Sequence, residues 1–385
     1  MIGEIRISRE ALRRNAETLR TLVQPVRAAF VVKSNAYGHG LIETALAIEP
    51  YASRLCVYAL EEAIELRDGG VTAPIVILGP IPPQSLSDAL AAKAEIALWD
   101  VGSYVKAIVS AARERHTRFP VHVKINTGVN RFGLEAHDAA DAVEEYLRHP
   151  EIEIAGVFSH LAAAEELDSP FTNEQLDRFN RAYAQMQPQF EQRKSNPIRH
   201  IAASAAAMLW PQTRLDMVRF GIALYGLWPS PQTREAMHGP SAGNGNSTGD
   251  EVYLEPALSY VSLLAAVRDV PAGASVGYGC TYNAPQAMRI GAVPLGYADG
   301  IPRLLSNTGT FTVDGALCPI IGRVCMNVTL LDLTAAPNAR AGSPVTLIGN
   351  DGNVSVTVDD WATWAQTINY EIVTRLPSEL TRVYT

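Results

Sequence analysis

From the N-terminus to Tyr225, short apolar runs rich in β-branched residues alternate with segments of helical period. The runs predict strands over Arg27–Val32, Arg54–Ala59, Pro74–Leu78, Glu95–Leu98, Val121–Asn126, Ile154–Ser159, Ile198–Ala202 and Met217–Phe220. Leu60–Arg67, Pro83–Lys93, Val101–Arg115, Ala136–Arg148 and Asn173–Arg193 between them read as helices. Ahead of the first strand, Leu12, Ala16, Leu19 and Val23 recur at helical spacing, with Ser8 available as the N-cap. Eight strands separated mostly by helices are what a parallel (β/α)8 TIM-like barrel requires.

The pattern then changes. Residues 229–249 are rich in Gly, Ser, Pro and Asn, which marks a flexible connection. Beyond it, Leu258–Val270, Met288–Leu295, Gly309–Val313, Leu317–Leu333 and Pro344–Ile348 are strand-like without long helical spacers. Asp314-Gly315 between two such runs signals a hairpin, and one helical pattern remains near Val358–Ile368. The expected organisation is a barrel over 1–235, a linker over 236–250 and a mainly antiparallel β domain over 251–385.

Charge narrows the function classes. Among 385 residues, 32 Lys and Arg stand against 40 Asp and Glu, a net charge of −8. That balance argues against a nucleic-acid or anionic-membrane partner. No apolar stretch approaches the roughly 18 residues of a spanning helix, and Met1-Ile2-Gly3-Glu4-Ile5-Arg6 has neither a basic nor an apolar leader region. A cytoplasmic location is therefore expected. Cys56, Cys280, Cys318 and Cys325 form no C-x-x-C pair and read as reduced and mostly packed.

A (β/α)8 barrel builds its active site at the C-terminal ends of the strands. Lys33, Arg131, His160, Ser204 and Arg219 all fall at or near those predicted ends. Several positive groups on one rim of an acidic chain suit an anionic ligand such as a phosphate or carboxylate. Each residue also has an ordinary reading: Lys33 as the first solvated loop residue, Arg219 as an ion-paired barrel residue, His160 as a hydrogen-bonded core histidine, Ser204 as the N-cap of a helix over 205–209. That cap would itself favour phosphate, and Gly221 allows close backbone approach. Phosphate-loop, dinucleotide and zinc-protease motifs are absent; G-x-S-x-G strings occur at 239–243, 245–249 and 273–277, but none lies between a predicted strand and a helix as a nucleophile elbow requires, and the histidines show no metal-ligand spacing.

Val31-Val-Lys-Ser-Asn-Ala-Tyr-Gly-His-Gly40 resembles the pyridoxal-phosphate attachment segment of alanine racemases. The likeness continues in order through 124–133, 156–160, 200–207, 217–226, 276–279, 294–300, 322–326 and 367–371. It implies the barrel-plus-β fold, pyridoxal 5'-phosphate as cofactor, alanine as substrate, and a homodimer with shared sites supplying D-alanine for peptidoglycan. It also implies that Lys33 carries the cofactor and is one catalytic base, with Tyr278 of the partner subunit as the second. By the same resemblance Tyr37, Ser204, Gly221, Ile222 and Tyr370 hold the phosphate, and Arg219 faces the pyridine nitrogen with His160 beside it. Arg131 binds substrate together with Met326 of the partner subunit, and Tyr297, Arg303 and Arg323 line the entry route.

Racemisation takes a proton from one face of Cα and returns one to the other, so it needs an acid or base on each face. Lysine and tyrosine, with ordinary pKa values near 10.4 and 10, are matched for that exchange. An arginine at the pyridine nitrogen keeps it unprotonated, which weakens the electron sink and limits transamination. Asn126, Ala203 and Asn327 stand where the family usually has Asp, Asn and Asp, leaving the strictness of alanine preference open. Lys124 occupies a position often carbamylated in the family. A serine or broad-specificity racemase is the nearest alternative. An amino-acid decarboxylase or a non-catalytic cofactor carrier is more distant.

Overall fold

A computed structural model describes residues 3–238 and 252–385, which group into two units. The first is the barrel. Its strands are Arg27–Val31, Arg54–Val57, Ile75–Ile77, Ala94–Leu98, Phe119–Asn126, Ile152–Phe158, Ile198–His200 and Met217–Phe220, each parallel to its neighbours. All eight expected strands are present. Their runs are mostly apolar because a parallel sheet is covered on both faces; Ile75–Ile77 and Met217–Phe220 are buried at every position.

Met217–Phe220 pairs back onto Arg27–Val31, with Arg219 opposite Ala29. The remaining seam is bridged by the Asp216 N–H donating to Arg199 O and the Arg219 N–H donating to Ala202 O, both at 3.1 Å. The barrel is thus nearly closed. Its interior is not uniformly apolar: His122, Lys124, His200 and Arg219 are all buried.

The second unit gathers Pro256–Thr385 with the N-terminal segment through Ala11 and with Tyr37–Gly40. One mainly antiparallel sheet runs Ala316–Pro319, Thr310–Val313, Pro344–Asp351, Leu258–Leu263, Gly3–Ile7 and Thr381–Tyr384, with Val354–Val356 paired to Pro344–Asp351. Only Gly3–Ile7 against Thr381–Tyr384 is parallel in it. Trp361 fills its core, donating from Nε1 to Leu347 O at 3.0 Å and stacking on Phe311. A separate sheet joins Ala266–Val270, Met288–Val293 and Thr329–Asp332. Asp314 and Gly315 both have positive φ, 51° and 76°, as the predicted tight hairpin requires.

Three sequence expectations shift. Gly3–Ile7 lies in the β unit, not the barrel, because Ile5 and Ile7 complete the apolar face between two of its strands. Ser8 does cap the following helix, accepting the Ala11 N–H at 3.1 Å. The linker expected from 236 begins later, since Pro231–His238 is helical; the stretch 239–250 lies outside the described residues. The helix near Val358 ends at Trp364, and a second one, Asn369–Thr374, follows Gln366 at φ 55°.

Gly156 is tied to the polar interior. A Cβ there would sit 2.2 Å from Nδ1 of the buried His122 ring. Gly156→Ala is therefore expected to destabilise the barrel by about 1–3 kcal/mol through overpacking, read as a lower urea midpoint at unchanged m-value. An unaltered midpoint would mean that the His122 ring moves aside freely.

Candidate active site

Lys33 leaves the end of strand Arg27–Val31, on the rim expected to carry chemistry. The backbone then turns left-handed for four successive non-glycine residues, Ser34, Asn35, Ala36 and Tyr37, with φ between 50° and 56°. Each such residue costs about 1–2 kcal/mol, and strain of this kind persists only where surrounding contacts impose it. The Ala36 N–H donates to Val32 O, and Asn35 Oδ1 accepts the Leu41 N–H, both at 2.9 Å. Burial, and then the positive charge of Arg131, hold the Lys33 amine below its usual pKa, with Glu62 opposing them.

Arg219 lies inside the barrel with every recorded acceptor neutral. It donates to His200 Nδ1 at 2.5 Å, Ser159 O at 2.8 Å, His200 O at 3.1 Å and Ile201 O at 3.2 Å; His160 Nδ1 lies at 3.4 Å. No ion pair to a carboxylate forms among the described residues, so the ion-paired reading of Arg219 is set aside. Burial lowers its pKa to about 10.

The nearest compensation is relayed. His200 Nε2 lies 2.8 Å from His122 Nδ1, and His122 Nε2 lies 2.5 Å from Glu95 Oε2, which also accepts from Arg54 Nε at 2.8 Å. Burial and neighbouring cations keep both imidazoles below their usual pKa. Neutral rings then have one consistent tautomer pattern: Arg219 donates to His200, His200 to His122, and His122 to Glu95. Phe158 stacks on the His200 ring at an interplanar angle of 3° and so fixes its plane.

Around this relay the rim is strongly positive. Lys124 Nζ is caged over the rings of Trp99, Phe132 and Phe158 at 5.2–5.5 Å. Burial, Arg131, Arg219 and Lys33 push its pKa down to about 8. His160 is held neutral, at about 3, by burial and then by Arg219, Arg131, Lys124 and Lys33. Asn126 organises the loop that carries Arg131: its Oδ1 accepts the N–H groups of Gly128 and Asn130, while its Nδ2 donates to Glu135 at 2.9 Å. An ionised Asp at this position could not make that last bond.

Ser204 is not an N-cap. Ala203 holds that place, and Ser204 begins helix Ser204–Leu209 with its Oγ accepting the Gly221 N–H at 2.9 Å. The bond joins two expected phosphate-binding residues, and Ile222 follows at the start of a short 3-10 turn, Ile222–Tyr225. In the β unit, the rings of Tyr37 and Tyr370 lie 6.2 Å apart. Tyr278 is 75% exposed and Met326 57% exposed. Tyr297 N–H donates to Cys325 O, placing Tyr297 beside the Arg323–Met326 loop, and Arg303 and Arg323 line one hollow of about 290 Å³. Asn327 Nδ2 reaches Asp299 Oδ2 at 3.4 Å. All four cysteines are free; Cys56 and Cys318 are buried, but Cys280 is exposed, so packing accounts for only part of the set.

Residues 7–229 match the family model for the alanine racemase N-terminal domain, and 257–384 match that for the C-terminal domain. The chain belongs to the alanine racemase family. An alanine racemase of Desulforamulus reducens is 36% identical over 98% of this chain and 97% of its own length. One of Leptospira interrogans is 37% identical over 98% of this chain and 95% of its own length. The crystal structure of alanine racemase from Streptomyces lavendulae covers the whole chain at TM-score 0.89 and 33% identity, with 97% of its own chain matched. That of Bartonella henselae, described with covalently bound pyridoxal phosphate, matches over the full length of both chains at TM-score 0.85 and 26% identity.

Strand-end placement and the family resemblance both point to Lys33, Arg131, His160, Ser204 and Arg219, but neither points to Glu95, His122 and His200 as a relay. A signal for part of it was present. His122 and Lys124 alternate within Val121-His-Val-Lys-Ile125, which puts both on one face of a strand.

The buried histidines make stability depend on pH. Their folded pKa values lie below the unfolded value near 6.5, so their neutral forms support the fold above pH 6.5. That support is lost as pH falls and the unfolded chain binds the extra protons. Urea unfolding should show stability dropping below about pH 6.5, by up to roughly 1.4 kcal/mol per pH unit for each histidine. His160→Asn should make the decline shallower; an unchanged slope would show that His160 is not held neutral.

Proposed function

We propose that this chain interconverts L- and D-alanine with pyridoxal 5'-phosphate, using Lys33 and Tyr278 of the partner subunit as the two bases. The observation that carries the reading is the barrel rim. There a buried arginine without a carboxylate partner stands with Lys33, Lys124 and Arg131 on one another's charge, in a chain of this family.

The donor set fits the cofactor. Lys33 would offer an amine to its aldehyde, and Arg219 would offer a guanidinium to the pyridine nitrogen. The Ser204–Gly221–Ile222 corner with Tyr37 and Tyr370 would hold the phosphate. When bound, pyridoxal phosphate supplies an electron sink for the carbanion at the substrate Cα.

The protein then decides where the proton goes. Lys33, with its pKa lowered by burial and Arg131, takes or returns the Cα proton on one face. Tyr278 of the partner subunit does so on the other. Arg219, held charged and oriented by His200, His122 and Glu95, would keep its protons beside the pyridine nitrogen. Arg131 receives the substrate together with Met326 of the partner subunit, while Tyr297, Arg303 and Arg323 border its path. The homodimer, a cytoplasmic location and the supply of D-alanine for peptidoglycan belong to the same proposal. Among the described residues no helix is long and apolar enough to cross a membrane.

Lys33→Ala should abolish D-alanine formation from L-alanine in an oxidase-coupled assay and should lose borohydride fixation of the cofactor to the chain. Retention of both would remove Lys33 from the reaction.

The shared site has its own test. Lys33→Ala and Tyr278→Phe homodimers are each expected to be nearly inactive. After subunit exchange at equal amounts, half the dimers are mixed and carry one intact site, so about a quarter of wild-type activity should return. No recovery despite proven exchange would place both bases in one chain.

A further inference from the structure

Lys33 stands on a turn that its own residues disfavour, and one carboxylate grips that turn from outside. Glu62 Oε1 accepts the Ser34 N–H at 2.5 Å, at the first left-handed position. Glu62 Oε2 accepts the N–H groups of Tyr58 and Ala59 at 2.8 and 3.1 Å, just beyond the neighbouring barrel strand Arg54–Val57. A single side chain thereby ties two adjacent strand-end loops together. Glu62 lies in the first turn of helix Leu60–Asp68, where the helix dipole favours an anion and where a carboxylate also caps the helix.

Glu62 also differs in charge from the rest of Lys33's surroundings. The titratable groups acting with Lys33 are Arg131, Lys124, His160 and Glu62, and the ring of Tyr58 lies 5.8 Å from Nζ. Arg131 and Lys124 are cationic and His160 is neutral, so Glu62 supplies the negative charge of this set. Without it, Lys33 would sit among cations that favour loss of its proton.

We propose that Glu62 is a positioning residue for Lys33, holding the left-handed turn in place and supplying the negative charge that lets the amine retain a proton. This rests on the reading of Lys33 as the cofactor lysine and a base. A base that is too weak cannot keep the proton it removes from the substrate, so the same contact that shapes the turn also sets how Lys33 exchanges it.

The test uses the full-length chain stripped of cofactor, in wild-type form and as Glu62→Gln and Glu62→Ala. Lys33 is labelled with acetic anhydride across a pH series and quantified by peptide mass spectrometry, and pyridoxal phosphate affinity is measured separately by absorbance titration. Glu62→Gln keeps one acceptor oxygen but loses the charge, so the pH midpoint of Lys33 labelling should fall by about half a unit or more. Glu62→Ala should weaken cofactor affinity about tenfold or more by releasing the turn. An unshifted midpoint in Glu62→Gln overturns the proposal, even where thermal stability falls, because that result leaves Glu62 as a helix cap only. This arm stands if Glu62→Ala fails to fold. Failure of the wild-type chain to take up pyridoxal phosphate at Lys33 would instead overturn the reading on which the inference rests.

Discussion

The burial of the Arg219 guanidinium inside the barrel is the constraint on which the site depends. A buried cation without a carboxylate partner is expensive unless its donors are met and its charge is answered at a distance. Here backbone carbonyls and two histidines meet the donors, and Glu95 answers the charge through His122 and His200. The arrangement needs neutral, correctly oriented rings. Burial keeps them neutral, and the Phe158 ring and the bare Cα of Gly156 leave them one orientation.

That choice shapes the electrostatics around it. With its guanidinium directed to neutral groups, Arg219 adds to the field of Lys33, Lys124 and Arg131 instead of being cancelled locally. His160 stays unprotonated and Lys124 drops towards neutrality in that field. A rim with this surplus suits a phosphorylated cofactor and a carboxylate substrate, which bring the missing negative charge with them. Burial and Arg131 also hold the Lys33 amine below its usual pKa.

The strained turn serves the same end. Four left-handed residues follow Lys33 directly, and strain of that kind persists only where surrounding contacts impose it. The β unit contributes differently, presenting Tyr278 and Met326 on exposed positions. Their assignment to a partner subunit in the proposed function comes from the family resemblance, and their exposure is compatible with it.

The alternation of mostly apolar runs with helical segments determined the barrel by itself, because parallel strands buried on both faces leave that mark in consecutive residues. The same order puts Lys33, Arg131, His160, Ser204 and Arg219 at or near strand ends. The Asp314-Gly315 hairpin and the Ser8 cap were legible too, since both depend on neighbours a few residues away. Only the tertiary structure decided that Gly3–Ile7 completes the β sheet, that Ser204 accepts from Gly221 instead of capping its helix, and that Glu95, His122 and His200 carry charge to Arg219. Those relay partners lie 27, 78 and 19 positions apart along the chain. Closure of the barrel brings them within hydrogen-bond reach, and no local pattern can encode a contact that exists only once non-neighbouring strands face a common interior.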